Sequence, residues 1–144
     1  MSGVPPDFEP HLRHSPATDP WEPLYSRRRG DGVDLAFVVR PAHCNGRGLV
    51  HGGVLAALCD NTMGLSLGVV LGREASLLTI SLAVDYLGSA RIGDVVLITP
   101  RVVHAGRSIG TCDALATSDG RPIARANASF RIRAAQDRDE PGPA

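Results

Sequence analysis

No lysine occurs among the 144 residues: all fifteen basic side chains are arginine, and fifteen acids bring the net charge to zero. That balance leaves no electrostatic footprint for nucleic acid or an anionic membrane. The missing lysine reads as genome composition, although arginine does suit phosphate recognition where such a site exists. Aromatic residues are scarce, with one Trp, two Tyr and three Phe, so no stacking cluster marks out a bound group. The three cysteines, Cys44, Cys59 and Cys112, have the spacing of neither a metal knuckle nor a redox pair. His11, His14, His43, His51 and His104 show no zinc-type spacing, so no metal is expected. No G-x-S-x-G elbow is present, which argues against a serine hydrolase. The opening MSGVPPDFEPH carries acids and prolines where a signal peptide needs bases and an apolar run. With an odd cysteine count, this points to a reducing, cytoplasmic setting.

The length fits one domain with a real core. Residues 1–20, rich in proline and polar groups, read as a loose lead-in with a short helical turn near Phe8–Leu12. The domain proper is expected over 21–134, and 135–144 reads as a disordered tail. Trp21–Arg28 is a first strand, and Gly30-Asp31-Gly32 signals a hairpin into Val33, Leu35, Phe37 and Val39. A loop over 41–50 leads to one long apolar helix. Four more strands follow: Leu77–Tyr86, Val95–Val103, Ser108–Ala116 and Pro122–Arg133. Ala105-Gly106 and Asp119-Gly120 supply tight turns, so neighbours should pair antiparallel. The expected class is α+β: about six antiparallel strands curved around one central helix.

That helix poses the functional question. The stretch HGGVLAALCDNTMGLSLGVVLG, residues 51–72, is apolar nearly all the way round yet carries Asp60. About twenty apolar residues could cross a bilayer. Asp60 at the centre would cost roughly 2.5–3.5 kcal/mol there, and the rest of the chain alternates like a soluble sheet, so a buried core helix is the better reading. An acid on a helix is most often solvated. Here Val54, Leu58, Met63, Leu65 and Leu67 point in several directions and leave no wide wet face.

The helix opens on His51-Gly52-Gly53, and a helix N-terminus presents unpaired N–H groups and a positive dipole end to an oxyanion. Gly52 and Gly53 leave those N–H groups accessible. Gly52 and Asp60 are eight residues apart, or about 12 Å along one helix. A water-activating carboxylate and an oxyanion donor must both lie within about 3 Å of one reacting centre. If both groups are catalytic, Asp60 serves a carbonyl held at the helix start of a second chain, which requires a two-fold dimer with composite sites.

The pattern N-x5-HGG-x6-D, here Asn45, His51, Gly52, Gly53 and Asp60, resembles the hotdog-fold acyl-CoA thioesterases of the PaaI type, in the 4-hydroxybenzoyl-CoA thioesterase superfamily. The resemblance runs from about Leu24 to Ile132 and includes TISLAVDYLGSARIGD and HAGRS. It implies a six-stranded hotdog domain, a homodimer with a continuous sheet, often paired into a homotetramer, and sites at the dimer interface. Its implied reaction is hydrolysis of acyl-CoA to acid and CoA, with no cofactor beyond the CoA of the substrate. Asp60 resembles the general base or nucleophile, and Gly52 the residue whose N–H polarises the thioester carbonyl. Asn45 and His51 resemble polar groups shaping the site, and Thr79 stands where relatives carry a small hydroxyl residue. Strict alternation puts Thr79 on the face opposite Leu78, Ile80 and Leu82, where an ordinary cross-strand contact would serve equally. Gly53, Arg107 and Ser108 are the expected substrate contacts, with Arg107 facing the CoA phosphates and Arg73 and Arg91 as weaker candidates. The alternative is a non-catalytic acyl-CoA sensor, which needs the pocket but not the acid. Hydratases of the same fold resemble a different pattern, a His paired with an acid.

Overall fold

The alternating segments form strands in the computed structural model, which describes residues 3–135. In chain order these are β1 (Glu9–Pro10), β2 (Tyr25–Arg29), β3 (Gly32–Val38), the helix α1 (Gly52–Leu71), β4 (Ala75–Tyr86), β5 (Val95–Ala105), β6 (Ile109–Ser118) and β7 (Arg121–Ala134). They make one antiparallel sheet in the order β1-β2-β3-β5-β6-β7-β4. The count is seven rather than about six because two residues of the lead-in pair with β2. Where a helical turn was expected near Phe8–Leu12, Glu9 and Pro10 are extended and Phe8 is buried. The first long strand begins at Tyr25, because Asp19–Trp21 form a 3₁₀ turn instead. The tail residues 136–144 lie outside the described residues.

Turn chemistry sets the meander. Asp119 and Gly120 both take positive φ, 51° and 72°, the mirror-image turn whose twist suits a two-residue hairpin between β6 and β7. The helix ends at Gly72, whose left-handed φ of 62° lets its N–H close on the carbonyls of Gly68 and Val69.

α1 lies across the sheet and buries one stripe, with Leu55, Leu58, Cys59, Met63 and Leu67 against Phe37, Ile98, Ala128 and Phe130. Ser66 fastens it to β3, accepting from the Val33 N–H at 2.9 Å and donating to the Val33 carbonyl at 3.3 Å. The opposite stripe, Val54, Ala57, Asn61, Gly64 and Leu65, is only half covered. The helix is therefore apolar on both sides while the sheet of one chain covers a single side.

Asp34 is fully buried on β3. It accepts from Arg27 Nη2 at 2.6 Å and from Arg29 Nε at 2.7 Å, while Arg27 also reaches Asp7 at 2.6 Å and lies over the Phe8 ring. This network pins the lead-in to the sheet edge. Removing one member of a buried pair leaves charge uncompensated. Asp34→Ala should cost about 3 kcal/mol in urea unfolding, the low end of that class because both guanidiniums keep solvent contact.

Candidate active site

The loop before α1 is built to present the helix start. The Asn45 side-chain oxygen accepts from the N–H groups of Arg47 (2.9 Å) and Leu49 (3.2 Å), closing a tight turn. Its carbonyl end is thus occupied by the loop, and the NH₂ end is the one left to meet a ligand. His43 is fully buried beneath. Its Nδ1 accepts from the Arg40 N–H at 2.9 Å, its Nε2 faces the Trp21 carbonyl at 3.0 Å, and its own carbonyl accepts from the His51 N–H at 2.8 Å. Those partners fix the neutral ring with the proton on Nε2, because Nδ1 faces a donor.

Burial pulls His43 below the usual histidine range, and burial does the same to His11 against the opposing charge of Glu22. Both stay neutral in the folded chain at pH values where the unfolded chain has begun to protonate. Stability is therefore full above about pH 6.5 and falls as the pH drops below it, by at most about 1.4 kcal/mol per pH unit for each ring. Urea midpoints across pH 4.5–8 should show that slope, and His11→Gln with His43→Gln should flatten it.

His51 caps α1: its Nδ1 accepts from the Gly53 N–H at 2.9 Å. The Gly53 N–H, expected to contact substrate, is thus already engaged. The Gly52 N–H has no partner among the described residues and stays available. The two glycines leave room for two different rings. A Cβ at Gly53 would sit 3.1 Å from the His51 ring, and a Cβ at Gly52 would sit 3.1 Å from the Tyr86 ring. Tyr86 ends the strand expected over Leu77–Tyr86, and its hydroxyl donates to the Gly52 carbonyl at 2.5 Å. Burial raises its phenol, with Cys59 adding to the shift, so it remains protonated and a donor at neutral pH.

Asp60 projects from the middle of α1 and is half-buried. Its Oδ1 accepts from the Thr79 hydroxyl at 2.8 Å. Strict alternation had placed Thr79 opposite Leu82. The sheet corrects this: Thr79 pairs with Phe130 and Leu82 with Ala128, both inward residues, so the two share the inner face. The cause is a bulge at Ile80, where the register shifts between Thr79 and Ser81. One extra residue reverses the parity of everything after it. Leu78, opposite Arg131, is left outward and is 60% exposed, and the bulged Ile80 is 55% exposed. Beside Asp60 the Cys59 thiol is pushed up to about 12 by burial, so it is no thiolate nucleophile.

Within one chain the structure forms two separate half-sites. Asp60 and Thr79 make one; His51, Gly52 and Tyr86 make the other, about 12 Å away along α1. Arg107 and Ser108 sit exposed on the β5–β6 hairpin, where the Ser108 carbonyl accepts from the Ile132 N–H at 2.8 Å. Along β7, Ile132 is two residues from Phe130, the partner of Thr79, and eight from Ala124, the partner of Tyr86. The hairpin thus lies about 7 Å from the Asp60 level and about 27 Å from the Tyr86 level. Arg73 and Arg91 are exposed at other turns. Hollows of about 420 and 390 Å³ lie at Thr99–Asn127 on the outer sheet face and at Leu87–Ile123, and neither is lined by Asp60, Thr79 or Gly52. No cluster of metal-ligating side chains occurs among the described residues.

Comparison with known proteins gives the family and the fold. A Pseudomonas aeruginosa protein named "Putative esterase PA0474" is 32% identical over 135 residues, covering 92% of this chain and 99% of that one. Human acyl-coenzyme A thioesterase 13 is 30% identical over 71 residues, 49% of this chain and 50% of its own length. The crystal structure of a hypothetical thioesterase from Streptococcus pneumoniae with coenzyme A superposes with a TM-score of 0.70 at 28% identity, covering 77% of this chain and 86% of that one. The fold is the hotdog fold, and residues 47–124 match the thioesterase superfamily model, spanning the end of the loop, α1, β4 to β6 and the start of β7. The chain belongs to the thioesterase superfamily.

Proposed function

We propose that the protein hydrolyses acyl-CoA thioesters to free acid and CoA at two composite sites of a two-fold homodimer. One observation carries the reading: Asp60, the single acid of an apolar helix, is held by Thr79 through Oδ1, and Oδ2 has no hydrogen-bond partner among the described residues. Water gives a proton to Asp60 and its oxygen adds to the thioester carbon. The carbonyl oxygen becomes an oxyanion that accepts from the Gly52 N–H of the other subunit. The intermediate collapses, the carbon–sulfur bond breaks, and the CoA sulfur leaves with the proton that Asp60 carried. A second route has the Asp60 carboxylate attack the carbon and expel the CoA thiolate to form an anhydride; water then opens it to the free acid and the restored carboxylate, and its released proton goes to the thiolate. Asn45 and His51 border the carbonyl, and Arg107 with Ser108 meet the CoA end.

The sheet edge supports the dimer. β4 is twelve residues long with its outer backbone edge unpaired, and Leu78 and Ile80 stand exposed on it. A long apolar edge strand invites a partner strand. Two β4 edges joined antiparallel would continue the sheet and bring the uncovered stripe of α1 against its counterpart. The three cysteines are all free thiols, in keeping with a cytoplasmic setting.

Free thiol release from a panel of acyl-CoA substrates tests the reaction. The wild type should release CoA with saturable kinetics on at least one acyl class, and Asp60→Ala should not. Equal slow release by both would instead favour an acyl-CoA sensor.

A further inference from the structure

We propose that Tyr86 is the positioning residue for the oxyanion donor, an inference that rests on the thioesterase reading above. The peptide between Gly52 and Gly53 is held at both polar ends. Its carbonyl accepts from the Tyr86 hydroxyl at 2.5 Å, and its N–H donates to His51 Nδ1 at 2.9 Å. A peptide unit is planar, so fixing both ends fixes its rotation about the chain. The donor N–H belongs to the preceding peptide, joined to this clamped one through the Gly52 Cα. Glycine has the widest conformational freedom of any residue, and two in succession would let that N–H swing. The carbonyl of that donor peptide, on His51, accepts from the Leu55 N–H at 3.1 Å, and the clamp fixes the peptide on the other side of the Gly52 Cα.

The glycines in turn make room for the clamp. At position 52 a Cβ would come within 3.1–3.3 Å of three Tyr86 side-chain atoms, and at 53 within 3.1–3.2 Å of the His51 ring. Neither a larger residue at these positions nor the loss of either ring would preserve the arrangement. Tyr86 reaches Gly52 because the bulge at Ile80 turns it inward, opposite the buried Ala124. Its hydroxyl is spent on the Gly52 carbonyl, so it orients the donor without touching the reacting atoms. A preorganised donor loses effect steeply when misplaced by about 1 Å.

Tyr86→Phe keeps the ring and deletes the hydroxyl. It should lower kcat by about tenfold with KM and thermal midpoint unchanged, and it should move the amide ¹H–¹⁵N resonances of Gly52 and Gly53. Tyr86→Ala should lose at least as much, and adding Gly52→Ala, which stiffens the same backbone in the space vacated by the ring, should recover part of it. Wild-type kcat in Tyr86→Phe alongside an inactive Asp60→Ala would overturn the role of Tyr86 and leave the thioesterase reading intact. A fall in kcat matched by a lower midpoint would also overturn it, since the role would then be packing. Equal thiol release by wild type and Asp60→Ala would remove the thioesterase reading itself, and this inference with it.

Discussion

Replacing Asp60 with alanine is expected to lower kcat for thioester hydrolysis by about 10²- to 10⁴-fold, the range set by loss of a positioned base. KM should stay near the wild-type value, because the carboxylate acts on water and the bound ester only as charge develops. Asp60→Asn is the sharper variant. The amide oxygen can still accept from Thr79, which holds Oδ1 at 2.8 Å, so shape and local bonding survive while the base is gone. Both variants should melt with the wild type, since Asp60 is only half-buried and Thr79 can turn to water. An Asp60→Asn enzyme with wild-type kcat would sink the assignment.

The second large effect is complementation between two dead chains. An Asp60→Ala chain and a Gly52→Pro chain should each be inactive alone. A heterodimer of the two should regain about half the wild-type rate, because one composite site then holds an intact Asp60 and an intact Gly52 N–H. Proline suits the first helical position and removes the N–H. Its ring would press on Tyr86, but that side chain is 51% exposed and can swing outward. Heterodimers confirmed by two different tags yet devoid of activity would mean that the site is not shared. The spacing along α1 makes this experiment decisive: a single helix cannot bring groups about 12 Å apart onto one carbonyl.

Most of the framework is legible from residue pattern. Ala126, Ala128, Phe130 and Ile132 alternate with Asn127, Ser129, Arg131 and Arg133, and they form β7 in that sense. Asp119-Gly120 makes the turn its composition demands. The apolar run after His51 becomes α1, and glycine near each end marks where it starts and stops. Boundaries slip where propensity is weak. Trp21 joins a 3₁₀ turn rather than a strand because Pro20 favours the start of a helical turn, and Glu9–Pro10 becomes a strand only because the β2 edge is there to receive it.

The candidate site divides along the same line. The sequence by itself determined the chemistry on offer: an acid on an apolar helix, glycines at its start, no metal-ligand spacing and no serine elbow. It also determined, through the rise of a helix, that Asp60 and Gly52 stand too far apart to share a carbonyl within one chain. Only the tertiary structure decided which hydroxyl meets which group. The bulge at Ile80 inverts the parity of β4, bringing Thr79 to Asp60 and keeping Leu82 and Tyr86 on the same inner face. A tertiary contact likewise fixed the Gly52 carbonyl, which accepts from Tyr86 34 residues away, while the Gly53 N–H is taken locally by the His51 cap. The physical reason is that periodicity is a local property, whereas a bulge exists only in the pairing of one strand with its neighbour.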